Sequence, residues 1–97
     1  MTPTEAVQLL SALANERRLA VFQALRDSPV GCTPTLLNTV CALGLPQTSN
    51  CLGDLAAAGL VACGRSGRHK IYYANELKLS ELVEFLSNKE SSNVSGD

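Results

Sequence analysis

The 97-residue sequence has a single histidine, His69, and the stretch that holds it has no acid: residues 61–73 carry Arg65, Arg68 and Lys70 but neither Asp nor Glu. A lone imidazole with no acid near it in sequence leaves no His–carboxylate pair and no Ser-His-Asp arrangement, so an enzyme is not expected. No glycine-rich phosphate loop follows a strand; Gly64-Arg65-Ser66-Gly67 reads as a turn and not as a nucleotide cradle. No apolar run is long enough to span a bilayer, so no membrane partner is expected. The opening, MTPTEAVQLL, lacks a basic segment and carries Glu5, which does not suit a signal peptide; a cytoplasmic chain with reduced thiols is the expectation. The four cysteines, Cys32, Cys41, Cys51 and Cys63, are too far apart for a Cys-x-x-Cys zinc knuckle. A secreted disulfide scaffold would be denser in cysteine and poorer in leucine. Internal repeats and low-complexity segments are absent too.

What remains is a globular composition, 45% hydrophobic and 18% charged, in a chain of one-domain length. A core of this size is marginal, and many such domains gain stability by pairing. The net charge of -1 hides an asymmetry. Residues 1–31 balance Glu5, Glu16 and Asp27 against Arg17, Arg18 and Arg26, and residues 32–60 carry only Asp54. From Ala74 onward, Glu76, Glu81, Glu84, Glu90 and Asp97 outnumber Lys78 and Lys89. The segment 61–73 is therefore one basic feature on a neutral-to-acidic body, and such a local field can outweigh the total charge.

The order of elements follows from caps and periods. Thr2, Pro3 and Glu5 make an N-cap, a first-turn proline and a capping box, with Val7, Leu10 and Leu13 following at helical spacing. Asn15 caps a second helix whose apolar stripe is Leu19, Phe22 and Leu25, with Val21 beside it. DSPVG at 27–31 breaks it. Thr33 and Pro34 then open a third helix with Leu36, Leu37, Val40 and Leu43. After a turn at 44–46, a fourth helix runs from about Gln47 to Ala58, with Leu52 and Leu55 inward and Gly59 as its stop. LVACG and HKIYY read as two strands joined at RSGR, a hairpin in which Gly67 takes positive φ. Leu79, Leu82, Val83 and Leu86 mark a final helix, and 89–97 reads as a disordered tail to a domain of residues 1–88. The fold class is mainly α with a small β-hairpin, in the order ααααββα. A short turn between helices three and four gives a helix-turn-helix, and a basic hairpin directly after it is a wing.

Three stretches carry a family likeness: ALANERRLAVFQAL at 12–25, LGDLAAAGLV at 52–61 and GRSGRHKIYY at 64–73. With these in this order, the chain resembles the ArsR/SmtB family of winged helix-turn-helix repressors over about Glu5 to Leu86. The resemblance implies a homodimer built on the first and last helices, and repression by occupying an operator until a metal ion or other signal is sensed. The chain also departs from the family. Where the recognition helix usually has Ser-Arg-His, it has Ser49-Asn50-Cys51, and the helix holds no cation. The Cys-x-Cys of arsenic sensors is reduced here to Cys32-Thr33-Pro34, and the last helix offers Glu81 and Glu84 without the histidine of zinc sensors.

In a helix-turn-helix, Gln47, Thr48, Ser49 and Asn50 are the candidates for reading base edges, because short polar side chains and carboxamides can pair there. Arg65, Arg68, His69 and Lys70 are the candidates for phosphate contact. Of Arg17 and Arg18, one could reach a phosphate or enter an ion pair. Cys41 and Cys63 read as core thiols. Cys32, near a helix N-terminus, and Cys51, on the reading helix, form a candidate thiol switch or soft-metal or metalloid site. Leu79, Leu82, Val83 and Leu86, with Phe85, offer more apolar surface than one side of a short helix needs, which predicts a dimer interface. The reading is thus a homodimeric, DNA-binding repressor released by a thiol-directed signal. The alternative, suggested by the cation-free helix and a pI of about 5.7, is a winged-helix protein-interaction module that has lost sequence-specific DNA binding.

Overall fold

Each helix but one begins where a short polar side chain can accept a backbone N–H. In the computed structural model, which describes residues 1–88, α1 (Pro3–Leu13) is capped by the Thr2 hydroxyl, which accepts from Glu5 N at 3.1 Å. The Asn15 carboxamide oxygen accepts from Arg17 N and Arg18 N at 3.0 and 3.1 Å and opens α2 (Glu16–Arg26). The Thr33 hydroxyl accepts from Leu36 N at 3.2 Å at the head of α3 (Pro34–Cys41). Asn75 does the same for Lys78 N at 3.1 Å, opening α5 (Glu76–Ser87). The exception is α4 (Leu45–Ala57), whose N-cap is Gly44, with no side chain to accept. It starts two residues earlier than the sequence suggests, because Pro46 sits in its first turn, where a missing N–H costs nothing. The expected tail, 89–97, lies outside the described residues.

Two strands, β1 (Val61–Ser66) and β2 (His69–Ala74), pair antiparallel with Val61 opposite Ala74 and Ser66 opposite His69. Gly67, at φ +62°, takes the first position of the two-residue loop, as the right-handed twist of a hairpin requires. One further pairing was not legible in the sequence. Cys32 N donates to Tyr72 O at 2.9 Å, and Tyr72 N to Cys32 O at 2.8 Å, so the chain entering α3 runs as a short third strand along β2.

The core gathers Leu9, Val21, Phe22, Leu25, Leu37, Leu52, Leu55, Leu60 and Leu82 from all five helices and the segment leading into β1. The inward faces differ from the expected stripes. α1 buries Ala6, Leu9 and Ala12, leaving Val7 and Leu10 outside; small residues let this helix approach its neighbours closely. α2 turns Val21, Phe22 and Leu25 inward and leaves Leu19 exposed, and on α3 only Leu37 is fully inside while Leu36 and Val40 face out. Arg18 clasps three elements. Its Nε donates to Ala12 O at 2.7 Å, its Nη2 to Ser11 O at 3.2 Å, and its Nη1 lies 3.5 Å from Asp54 of α4. A guanidinium at the C-terminal end of α1 also meets the negative end of that helix's dipole. Lys78 ties α5 to α1 through Glu5 at 3.0 Å.

Candidate nucleic-acid interface

α3 and α4 are joined by Ala42, Leu43 and Gly44. Ala42 (φ 56°) and Gly44 (φ 92°) both take positive φ, which reverses the chain within three residues. Thr48 then locks the pair. Its hydroxyl lies 3.0 Å from Gly44 O and 3.3 Å from Asn38 Oδ1, so its one hydrogen is shared between the N-cap carbonyl of α4 and a side chain of α3. This corrects one expected base contact: Thr48 is 0% exposed, and a side chain with its hydroxyl committed inside the fold cannot reach a base edge. Gln47, Ser49 and Asn50 are exposed at the start of α4, as a surface for base contact needs.

The wing brings its cations together. Arg65 and Lys70 are directly opposite one another across the hairpin, so both project from the same face, and Arg68 occupies the loop. Ser66 and His69 are the next opposed pair, on the other face. All five are exposed, and among the described residues none of Arg65, Arg68 and Lys70 enters an ion pair. Unpaired cations on a protruding hairpin are free to meet phosphate oxygens without first breaking an internal bond. The arginines of α2 divide. Arg18 is the structural clasp already described, while Arg17 is exposed and puts Nη1 3.4 Å from Gln47 Oε1.

The thiols lie deeper than expected. Cys32 and Cys51 are both buried, so Cys51 is on the reading helix but faces the core. Burial pushes the Cys51 thiol up, against a smaller opposing pull from Arg18. Burial also pushes up Cys41, whose Sγ is 3.9 Å from Ala20 O, and the neighbouring Cys51 and Cys32 add to that shift. Cys63, expected in the core, is the exposed thiol; it is opposite Tyr72, whose phenol is pushed up by burial and then by Cys63. Alternation along β1 places Cys63 on the same face as Val61, but it is β2 that lies along the Cys32 segment, which leaves β1 as the outer strand, and only tertiary packing decides that. Among the described residues, no group of three or more His, Cys, Asp or Glu side chains is placed to hold a metal ion.

The last helix also sorts differently from its apolar pattern. Leu82 is 2% exposed and belongs to the core of its own chain, so it is withdrawn from the expected dimer face. Val83 and Leu86 stand 53% and 58% exposed, Leu79 is half-buried, and Val7 and Leu10 are exposed on α1. No helix among the described residues is long and apolar enough to cross a membrane.

A helix-turn-helix followed directly by a hairpin carrying unpaired cations defines a winged-helix DNA-binding protein. No family model and no curated protein matches the chain, but solved structures do. HlyU from Vibrio cholerae N16961, in its reduced form, is 31% identical over 87% of this chain and 90% of its own, with a TM-score of 0.69. A homodimeric winged helix-turn-helix DNA-binding domain from Mycobacterium bovis, described as a possible ArsR-family transcriptional regulator, is 25% identical over 93% of this chain and 84% of its own, at 0.71. An ArsR-like transcriptional regulator from Rhodococcus sp. RHA1 superposes with a TM-score of 0.84 at 22% identity, covering 92% of this chain and 82% of its own, and supports the fold. The chain belongs to the ArsR family of winged helix-turn-helix transcriptional regulators, DNA-binding proteins and not enzymes.

Proposed function

We propose that the protein is a homodimeric repressor that acts in the cytoplasm, occupies an operator in double-stranded DNA, and is released by a thiol-directed signal. The observation that carries the DNA reading is the set of three unpaired cations, Arg65, Arg68 and Lys70, on a wing that follows a helix whose start exposes the polar side chains of Gln47, Ser49 and Asn50. The wing grips phosphates, with His69 at its tip, and the start of α4 reads bases. The exposed Val7 and Leu10 of α1 and Val83 and Leu86 of α5, with the half-buried Leu79, form the face for a second copy, and the M. bovis domain is likewise described as homodimeric.

The thiol signal is supported by four free cysteines and by the relation to HlyU, solved in reduced form. A peroxide would oxidise Cys63 first, since its sulfur is open to solvent; Cys32 and Cys51, the pair singled out in the sequence, react only when the core opens. A soft metal ion or metalloid would have to draw thiols together, as no preformed cluster exists among the described residues.

Fluorescence anisotropy tests the grip, with a duplex from the DNA flanking the protein's own coding sequence and a scrambled duplex of equal length. Salt-sensitive binding that favours the native duplex, and that collapses in an Arg65→Ala, Arg68→Ala, Lys70→Ala triple variant, is expected. Equal affinity of that variant and the wild type at low salt would return the protein to the alternative of a winged-helix interaction module. Peroxide that leaves binding and all four thiols unchanged would end the thiol signal.

A further inference from the structure

We infer that Arg17 contacts DNA: held against Gln47, it supplies the phosphate-binding cation that the recognition helix itself lacks. The inference rests on the DNA-binding reading above and extends the interface to α2, an element outside both the recognition helix and the wing.

Two adjacent arginines open α2, and the fold treats them oppositely. Asn15 caps the backbone of both, which places their side chains about 100° apart around the helix. Arg18 turns into the body, where Ala12 O, Ser11 O and Asp54 occupy its guanidinium and leave its side chain 25% exposed. Arg17 turns outward. Among the described residues, the one polar contact of its side chain is Nη1 to Gln47 Oε1 at 3.4 Å, and no carboxylate pairs with it, Glu16 beside it included. A guanidinium has five N–H donors in a rigid fork, so one long contact to a neutral carboxamide leaves most of the fork and the whole charge available.

Its position gives that charge a use. Gln47 lies in the first turn of α4, so a group touching it stands at the rim of the surface α4 presents. Residues 45–57 contain no Lys or Arg and one acid, Asp54, which Arg18 already engages. A duplex laid along this helix brings phosphates to both sides of the groove. The wing cations meet one stretch of backbone. At the start of α4 the side chain in position to neutralise phosphate comes from α2, and Arg17 is the one that touches it. The same contact restrains the Gln47 carboxamide, so Arg17 also helps orient a base-reading side chain.

The test is the salt dependence of affinity for two duplexes, one from the DNA flanking the coding sequence and one scrambled. Wild type, Arg17→Gln, Arg18→Gln and the wing triple variant are compared at a temperature where circular dichroism shows each folded. Removing one phosphate contact per subunit lowers the log–log salt slope by about 0.9, or about 1.8 for a dimer. Between 50 and 200 mM salt, Arg17→Gln is then expected to lose roughly tenfold less affinity than wild type, on both duplexes. It should melt with the wild type, whereas Arg18→Gln melts lower. A wild-type slope in Arg17→Gln overturns the inference, as does a melting loss matching Arg18→Gln with the slope intact. If the wing variant loses slope while Arg17→Gln keeps it, only the role of Arg17 falls. If the wild type binds neither duplex at low salt, the DNA reading falls and Arg17 with it.

Discussion

Gly31 and Gly44 have nearly the same backbone conformation, φ +93° and φ +92°, in very different surroundings. A Cβ at Gly44 would meet nothing within 4 Å. A Cβ at Gly31 would sit 2.4 Å from Ile71 Cγ2 and 2.6 Å from Tyr73 Cε1, where ordinary carbon contacts lie near 3.5–4.0 Å. Substituting alanine at each therefore separates two costs. Both variants bear the strain of positive φ, about 1–2 kcal/mol, and both gain similarly from a stiffer unfolded chain. Only Gly31→Ala adds the collision. Ile71 cannot swing its Cγ2 away cheaply, because a β-branched side chain is stiff at χ1 and the methyl is fixed to Cβ. Overpacking of this kind costs about 1–3 kcal/mol, so Gly31→Ala should be less stable than Gly44→Ala by that amount. Urea denaturation of both at one fixed protein concentration measures the difference; the concentration matters because pairing contributes to stability. Agreement of the two variants within about 0.5 kcal/mol would refute the close packing of residue 31 on the wing strand. Since Gly31 precedes the Cys32–Tyr72 bridge, the strained variant should also weaken duplex binding where it is still folded, by displacing β2 and with it Lys70 and His69.

Three further outcomes are expected. Thr48→Val keeps the shape and removes the hydroxyl that joins Gly44 and Asn38; stability should fall by about 1 kcal/mol while sequence preference in anisotropy is retained, and a lost preference with full stability would return Thr48 to the base-reading set. Val83→Ser with Leu86→Ser should shift light scattering from dimer to monomer mass with the helical signal preserved, whereas Leu82→Ala should cost about 2–5 kcal/mol of stability through the cavity it leaves. Lys78 beside Glu5 holds the Glu5 carboxyl below its usual range. A depressed carboxyl stabilises the fold above its unfolded-state value and loses that contribution as pH falls through the folded one. The stability gap between wild type and Glu5→Gln should therefore close on acidification from neutral pH, and a gap that stays constant would remove Lys78 as its source.

Local chemistry was legible in the sequence and tertiary selection was not. Thr2, Asn15 and Thr33 cap helices as their spacing suggests, and Gly59 and Gly67 take the positive φ expected of them, because a cap or a two-residue turn is settled within a few residues. The order of elements follows, and so does the pairing of Arg65 with Lys70 across the wing. The period does not tell which face of each helix points inward: Leu19, expected in the buried stripe of α2, is exposed, and so are Val7, Leu10, Leu36 and Val40, since every helix here has apolar residues on more than one side.

The same limit governs the site. That a basic hairpin follows a helix-turn-helix can be read along the chain, because composition, turn residues and element order are properties of neighbours. It takes the packed fold to make Thr48 a lock and Leu82 core, to bridge Cys32 to Tyr72, and to make Arg18, of two adjacent arginines, a clasp while Arg17 faces out beside Gln47. Those outcomes depend on where α1, α4 and β2 come to rest against the rest of the chain, and such contacts are set by packing, not by the local pattern that precedes it.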